Sequence, residues 1–468
     1  MTPNAKFLKR TQRILAVGGA ALLVAGLAGT MSRHAMAQSA DYVITRLATL
    51  GDAAPGGASF TFDFEPWSVN NRGQVAFGAD LTTGGEGIFL ASHGQISQIA
   101  RTGQADPNGS TFAAGFLGLP ALNNQADVAF TFALEPFTFP LGVNAGVYRF
   151  SHIDSQLHAV LVPNVTPAPG GGTFTGATFH ASLNNPGDIT FTGIVPATIG
   201  PGAPIGLGQG IFRADKSGRI SIVVRPGDSA PGGGIFDLAQ NAWINDAGDV
   251  AFGGHVAGEE CITEGQDVPG TFIFCAESVY LKNAATGNIQ SIAHQGDPAP
   301  GGGLFRVAFG PVLNNRDEIA FIGDLTPAPG AAETLGVFLH TGGTTVAVAR
   351  PGDPMPGGGH LLTASNSTLD YHLNNRGEVA FGAFLDTDDN ADGIPDTGVY
   401  VGTGGSLRLV ARTGTVIPGV GTIAQASASF ATSAPTPLSG AANNDLGQVF
   451  FNATLTDGTV VLLLATPR

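Results

Sequence analysis

One eight-residue pattern recurs seven times along the chain and limits what it can fold into: Asn-x-x-Gly-acid/Gln-Val/Ile-x-Phe. The copies run Asn70 to Phe77, Asn123 to Phe130, Asn184 to Phe191, Asn245 to Phe252, Asn314 to Phe321, Asn374 to Phe381 and Asn444 to Phe451. Successive first Asn residues are 53, 61, 61, 69, 60 and 70 positions apart. A repeat of that period means one supersecondary unit packed against copies of itself, because a single unit cannot bury its own apolar face.

The motif reads as a turn feeding a strand. Asn tolerates a left-handed backbone and its amide bonds nearby peptide groups, and Gly accepts positive φ without a steric penalty. After the turn the side chains alternate, so Val75 and Phe77 and their six equivalents point to one side and form a repeated inter-sheet layer. Three further β segments complete each repeat. In the first they are Phe60 to Phe64, Gly87 to Ala91 and Ile96 to Arg101, and a Gly/Pro-rich bend then leads to the next repeat; the bend is Gly-Asp-x-x-Pro-Gly-Gly in its best copies, Gly51 to Gly57, Gly227 to Gly233, Gly296 to Gly302 and Gly352 to Gly358.

The ends of the chain decide between an open array and a ring. The last repeat stops after its third strand, Val460 to Ala465, and the region after residue 38 opens with a spare fourth strand, Ile44 to Leu50. A ring uses that offset, since the N-terminal strand completes the last sheet and removes both exposed edges. The expectation is an all-β, seven-bladed β-propeller over residues 38–468, with an open β array or paired sandwiches as the alternative.

Residues 1–37 read as a signal peptide. Lys6, Lys9, Arg10 and Arg13 precede an apolar run, Ile14 to Gly29, and Ala35-Met36-Ala37 forms a cleavage site before Gln38. The run is short for a membrane-spanning helix, and no later segment is long and apolar enough to span. Removing this segment takes away five basic residues and no acidic one, so the formal charge of −15 becomes −20. Nucleic acid and anionic membrane surfaces need a basic face, so both are excluded as partners. The expected product is exported, periplasmic or extracellular, and monomeric.

The seven copies, such as Asn70-Asn71-Arg72-Gly73-Gln74-Val75-Ala76-Phe77, resemble the choice-of-anchor tandem-repeat family of exported bacterial proteins named for the NxxGxVAF motif. Ala126 and Asp317 depart from the motif at Gly, and Thr190 and Phe450 depart at Ala. The resemblance implies export and repeat architecture. It supplies no active site. Family members often end in a sorting segment that this chain lacks, which favours release over surface anchoring.

Few residues suggest chemistry. Between the sixth motif strand and Gly398, oxygen-bearing side chains fall at Asp386, Asp388, Asn390, Asp392 and Asp396, with Asp389 and the turn former Gly393 among them. Alternating Asp/Asn on a tight loop suits Ca²⁺, which takes 6 to 8 oxygen ligands, and the segment resembles the Asp-rich calcium loops of thrombospondin type 3 repeats and dockerins. A structural Ca²⁺ is therefore expected there, the alternative being a solvated acidic loop. Cys261 and Cys275 lie in one insertion, residues 253–277, and an exported protein would join them as a disulfide.

The bend residues Asp52, Asp228, Asp297 and Asp353 are expected to cap their own turns. The motif acids Asp127, Asp188, Asp249, Glu318 and Glu378 are expected on an ordinary hydrogen-bonded strand face. No catalytic constellation emerges: there is no Gly-x-Ser-x-Gly elbow, no phosphate loop, and no His spacing suited to a metal. The expected role is a secreted, non-enzymatic binding or structural scaffold with a protein or glycan partner. The alternative is a propeller enzyme acting on extracellular polysaccharide, a glycoside hydrolase or lyase, with carboxylates converging at one mouth.

Overall fold

The computed structural model describes residues 41–136, 144–195, 208–259, 278–325, 335–364, 371–426 and 440–468. The signal segment and Cys261 and Cys275 lie outside them. These residues form seven antiparallel sheets and no helix, so none could cross a membrane as a helix. Blade one shows the plan. Its strands are Ala58–Val69, Val75–Leu81, Glu86–Ser92 and Gln95–Arg101, hydrogen-bonded in that order. The first strand runs well beyond the Phe-rich stretch that marks it in the sequence.

The first strands contact one another in a closed cycle through all seven blades, so they line the axis and the fourth strands lie outermost. The ring is a propeller, closed as the sequence ends imply. Tyr42–Thr49 pairs antiparallel with Val460–Pro467, with Tyr42 opposite Pro467, Ile44 opposite Ala465 and Thr49 opposite Val461. The N-terminal strand is the outermost strand of the seventh blade.

Each motif Phe sits directly opposite a third-strand residue. In six blades this partner is aromatic: Phe77 faces Phe89, Phe191 faces Phe212 and Phe252 faces Tyr280. The facing rings stack, with centroids 5.6 Å apart for Phe77–Phe89 and 5.5 Å for Phe252–Tyr280. In the first five blades a first-strand or bend Phe meets the third-strand ring edge-on. Phe174 lies 4.7 Å from Phe212 at 88°, and Phe305 lies 4.9 Å from Phe338 at 85°. Edge-on and offset arrangements suit the ring quadrupoles and add about 0.5–1.5 kcal/mol per pair beyond the buried area.

The motif strands are buried on both faces. Val75, Ala76 and Phe77 are all fully inaccessible. The Phe side packs toward one neighbouring blade, so Phe77 shares a cluster with Leu462 and Leu464 of blade seven. The Ala side packs toward the other, so Ala76 joins Phe130 and Val128 of blade two. A small residue at the Ala position lets adjacent sheets approach closely.

The motif turn needs a left-handed residue, and the two departures from Gly show it. Ala126 and Asp317 adopt φ of 73° and 58°, like Gly187 at 97° in a standard copy. Asp317 also draws the Asn245 amide toward its carboxylate, 2.8 Å away, leaving that amide 3.5 Å from the Asn314 carbonyl. Burial and the nearby Asp249 charge push the Asp317 carboxyl up. Asp317→Gly is therefore expected to stabilise the protein by about 1 kcal/mol, because it relieves both backbone strain and like-charge repulsion. The check is a raised urea midpoint; a lowered one would show that the Asn245–Asp317 bond outweighs the strain.

Candidate functional site

Strand directions give the propeller two unlike faces. First-to-second-strand turns and third-to-fourth hairpins emerge on one face. Second-to-third connections and the bends between blades emerge on the other.

The first face is built from asparagine. The turn between first and second strands is five residues long in every blade, as from Val69 to Val75 or Ile244 to Val250. The first motif Asn of each blade is buried, and its Nδ2 donates to the backbone carbonyl of the first Asn in the next blade. The series runs Asn70 to Asn123 (3.0 Å), Asn123 to Asn184 (3.3 Å), Asn184 to Asn245 (2.9 Å), Asn245 to Asn314 (3.5 Å), Asn314 to Asn374 (2.9 Å), Asn374 to Asn444 (3.0 Å) and Asn444 back to Asn70 (2.8 Å). Meanwhile each Oδ1 accepts backbone N–H groups of its own turn, as Asn184 does from Asp188 at 2.7 Å. Only a carboxamide supplies an acceptor and a donor at this reach. Asp lacks the donor and Ser lacks the length.

A second hoop lies beside it. The backbone N–H of each following residue donates to the side-chain Oδ1 of its counterpart one blade on, through Asn71, Asn124, Asn185, Asp246, Asn315, Asn375, Asp445 and back to Asn71. These bonds span 2.7 to 2.9 Å. Asp246 Oδ2 also accepts Nδ2 of Asn185 and Asn315, and Asp445 Oδ2 accepts Nδ2 of Asn71 and Asn375. Both hoops surround a cavity of about 140 Å³ on the axis.

Below this mouth the channel is blocked. His180 of blade three stacks on Trp243 of blade four, with centroids 5.1 Å apart, and His372 of blade six meets the same indole edge-on at 4.8 Å. Burial, reinforced by the His372 charge, pushes the His180 imidazole down to about 3. Unfolded His180 would take up a proton near 6.5, so between pH 6.5 and 3 the unfolded chain binds more protons. Stability from the neutral imidazole is thus complete above pH 6.5 and falls as the pH drops toward 3. The urea midpoint should fall across that window, and His180→Gln should flatten its slope; an unchanged slope would mean that other groups control acid sensitivity.

The motif acids belong to the same face. Asp127, Asp188 and Asp249 accept the backbone N–H of His152, Lys216 and Ala284 and so cap the third-to-fourth connection. Glu318 takes Arg316 and Thr341, and Glu378 takes Arg376 and Arg408. Their carboxylates are engaged in the frame.

The opposite face varies. Its second-to-third connections range from four residues, between Leu81 and Glu86, to 21, between Val256 and Ser278. The bend acids cap their own turns: Asp52, Asp228, Asp297 and Asp353 accept the N–H of Thr49, Arg225, His294 and Arg350. Five exposed large apolar side chains, Val165, Ile235, Leu304, Leu362 and Val416, lie on or beside the bends. Where the insertion is described, His255 bonds Asp237 at 2.6 Å and Glu259 pairs with His294 at 2.8 Å.

The Asp-rich loop is also on this face. Asp386 bonds the backbone and ring of His360. Asp388 accepts the N–H groups of Asp392 and Gly393, and Asn390 pairs with Asp392. Asp396 is buried and accepts from Thr387 Oγ1 at 2.6 Å and Arg412 at 3.0 Å. Arg412 also reaches Asp389 at 2.7 Å and the Gly358 carbonyl at 3.1 Å. Among the described residues, no three His, Cys, Asp or Glu side chains gather as a metal site.

No curated protein matches the sequence. Among solved structures, the chain resembles an oligogalacturonate lyase from Vibrio parahaemolyticus at 12% identity and TM-score 0.46, covering 92% of this chain and 98% of that one. It also resembles the β-propeller domain of the Trilobed protease from Pyrococcus furiosus at 10% identity and TM-score 0.48, covering 87% and 94%. A polysaccharide lyase of family PL25, an ulvan lyase, aligns at 12% identity and TM-score 0.44, covering 88% and 97%. A family model matches residues 30–463, nearly the whole chain, and the protein belongs to that family, the family of unknown function DUF7453.

Proposed function

We propose that this propeller is an exported, non-enzymatic scaffold that binds a protein or glycan through the face carrying the second-to-third connections. The observation that supports this most is that the large length variation lies on that face, whose second-to-third connections run from four residues to 21, while on the other the first-to-second turns are all five residues long, with side chains that form the hoops, and the hairpins run only from two residues, between Ser92 and Gln95, to six, between Lys282 and Ile289. Insertions in repeat folds collect where binding occurs. The exposed apolar side chains beside the bends lie on the same face and add to the support. Export rests on the signal-like N-terminus and on the resemblance to the NxxGxVAF repeat proteins.

The test is a glycan array and a polymer-degradation screen on the chain from residue 38, with and without Ca²⁺. Expected is retention of a ligand without turnover, lost when residues 257–277 are replaced by the four-residue connection Thr82 to Gly85. Release of shortened saccharides would replace the scaffold reading with the polysaccharide enzyme.

The loop from Asp386 to Asp396 carries Ca²⁺ in this reading, as a structural ion on Asp386, Asp388, Asn390 and Asp392 with Asp396 at its buried end. Binding requires Asp388 and Asp392 to give up backbone amide partners for the ion. Ca²⁺ should raise the melting temperature, and Asp392→Ala should abolish the rise. If melting is the same in Ca²⁺ and in chelator, Arg412 is the cation that holds this loop.

A further inference from the structure

We propose that the face carrying the second-to-third connections takes a basic protein, docked on the three consecutive bends that enter blades four, five and six; this rests on the reading of that face as the binding face and names its partner. Each of these bends joins an acid to an exposed aliphatic side chain. Asp228 and Ile235 share the bend into blade four, Asp297 and Leu304 the bend into blade five, and Asp353 and Leu362 lie at the bend into blade six. Isolated bridges close each bend on itself, with Ser229 opposite Ile235, Pro298 opposite Leu304 and Pro354 opposite His360. The other bends do not make this combination. Where Ile235 and Leu304 stand, blades one, two, three and seven carry Ser59, Thr111, Thr173 and Thr422. Val165 and Val416, exposed in the bends into blades three and seven, have no acid beside them in those bends.

Exposed charge is divided between the two faces. Among the described residues, no Lys or Arg on the face of the bends is exposed, whereas Asp297, Asp386, Asp388 and Asp392 are. Its arginines turn inward. Arg101, Arg350 and Arg412 donate to the bend carbonyls of Gly56, Gly302 and Gly358, and Arg306 pairs with Asp324. The exposed cations Arg72, Lys216, Arg219, Arg316 and Arg376 all stand on the face of the hoops. A surface of one sign draws in partners of the other and rejects like charge, even where its carboxylates also cap turns.

A basic protein matches both halves of each bend. Its Lys or Arg heads meet the carboxylates, and their methylene stems and neighbouring apolar side chains meet Ile235, Leu304 and Leu362. A glycan fits less well. Uronate and sulfate groups would be repelled. A neutral sugar lays its C–H groups on the negative face of an aromatic ring, and the exposed large apolar side chains described on this face are all aliphatic.

Isothermal titration of the chain from residue 38, with chelator present, tests this with a peptide of four Lys-Ala-Leu repeats. The comparators are four Glu-Ala-Leu repeats, four Lys-Ala-Ser repeats and a glucosamine hexamer. The Lys-Ala-Leu peptide is expected to bind about tenfold or more tighter than any comparator, and to weaken as NaCl is raised. The triple variant Asp228→Asn, Asp297→Asn, Asp353→Asn keeps the oxygens that accept the N–H of Arg225, His294 and Arg350, so it should melt close to the parent and bind about tenfold or more weakly. Leu304→Ser, an exposed change, should shrink the preference for Leu over Ser in the peptide. Asp41→Asn, Asp154→Asn, Asp215→Asn removes the same charge from the other face and should alter binding by less than about twofold. The proposal is overturned if the Lys-Ala-Leu peptide does not bind, if the two triple variants weaken it equally, or if the glucosamine hexamer binds more tightly. A glycan that is retained by the parent and lost when residues 257–277 are replaced, with no peptide binding, would overturn the basic partner and leave the binding face standing.

Discussion

A chain starting at residue 50 is expected to lose cooperative folding, because residues 42–49 belong to the last blade and also support the first. Tyr42 packs among Val399, Phe451 and Leu463, whereas Ala48 and Leu47 pack with Phe77 and Leu462 at the junction with blade one. Without Tyr42–Thr49, the strand Val460–Pro467 becomes a long, apolar, unpaired edge. Such an edge is a template for aggregation. The lost ladder of hydrogen bonds, at about 1 kcal/mol each, and the lost apolar burial together reach on the order of 5–10 kcal/mol. That is comparable to the whole stability of a typical domain, about 5–15 kcal/mol. Size-exclusion chromatography and urea unfolding of the truncated chain should show aggregation or a non-cooperative transition. A synthetic peptide of residues 41–51 should restore part of the transition. A monomeric truncated chain with the parent's midpoint would mean that closure contributes little.

Asn184→Ala is expected to cost about 2–4 kcal/mol, more than most single substitutions. The side chain makes three bonds: Nδ2 to the Asn245 carbonyl at 2.9 Å, and Oδ1 from the N–H groups of Gly187 at 3.0 Å and Asp188 at 2.7 Å. Gly187 N–H and the Asn245 carbonyl keep a second partner within their turns, but the Asp188 N–H is stranded at a buried residue. Because Asn184 and Asn245 are consecutive links of one hoop, the double Ala variant should lose less than the sum of the singles. Asn185→Ala, at the more exposed rim, should cost about 1 kcal/mol. Urea unfolding of the four proteins gives the cycle. A cost for Asn184→Ala no greater than for Asn185→Ala would reduce the repeated first Asn to ordinary turn chemistry.

The hoops also show where sequence reasoning stops. A first Asn in all seven motifs reads as a turn former, which is half of its role. The second half, donation across the blade boundary, joins residues 53 to 70 positions apart in six links and 374 apart in the closing link from Asn444 to Asn70, and exists only once the blades stand in a ring. The second-position residues carried a signal that the motif pattern did not use: all seven are Asn or Asp, from Asn71 to Asp445. His180, Trp243 and His372 gave none: Trp243 and His372 both stand two residues before a first Asn, but that position holds Ser68, Ala121, Ser182, Val312 and Ala442 in the other blades, so no repeated residue type marks it, and His180 comes from a different position, four before Asn184.

Repeat number, strand order and ring closure were determined by the sequence alone. They depend on a periodic local pattern and on one strand missing at one end and spare at the other. Both are properties of the chain taken in order, and burial of apolar faces leaves few ways to satisfy them. The assignment of each polar side chain was decided by the tertiary structure. The spacing that suggested a calcium loop has Asp396 bonded to Arg412, a residue of the following strand. The acids that could have formed a carboxylate ring cap turns and hairpins. A carboxylate or amide bonds whichever donor stands within about 3 Å, and closure of the ring, not proximity in the chain, sets which donor that is.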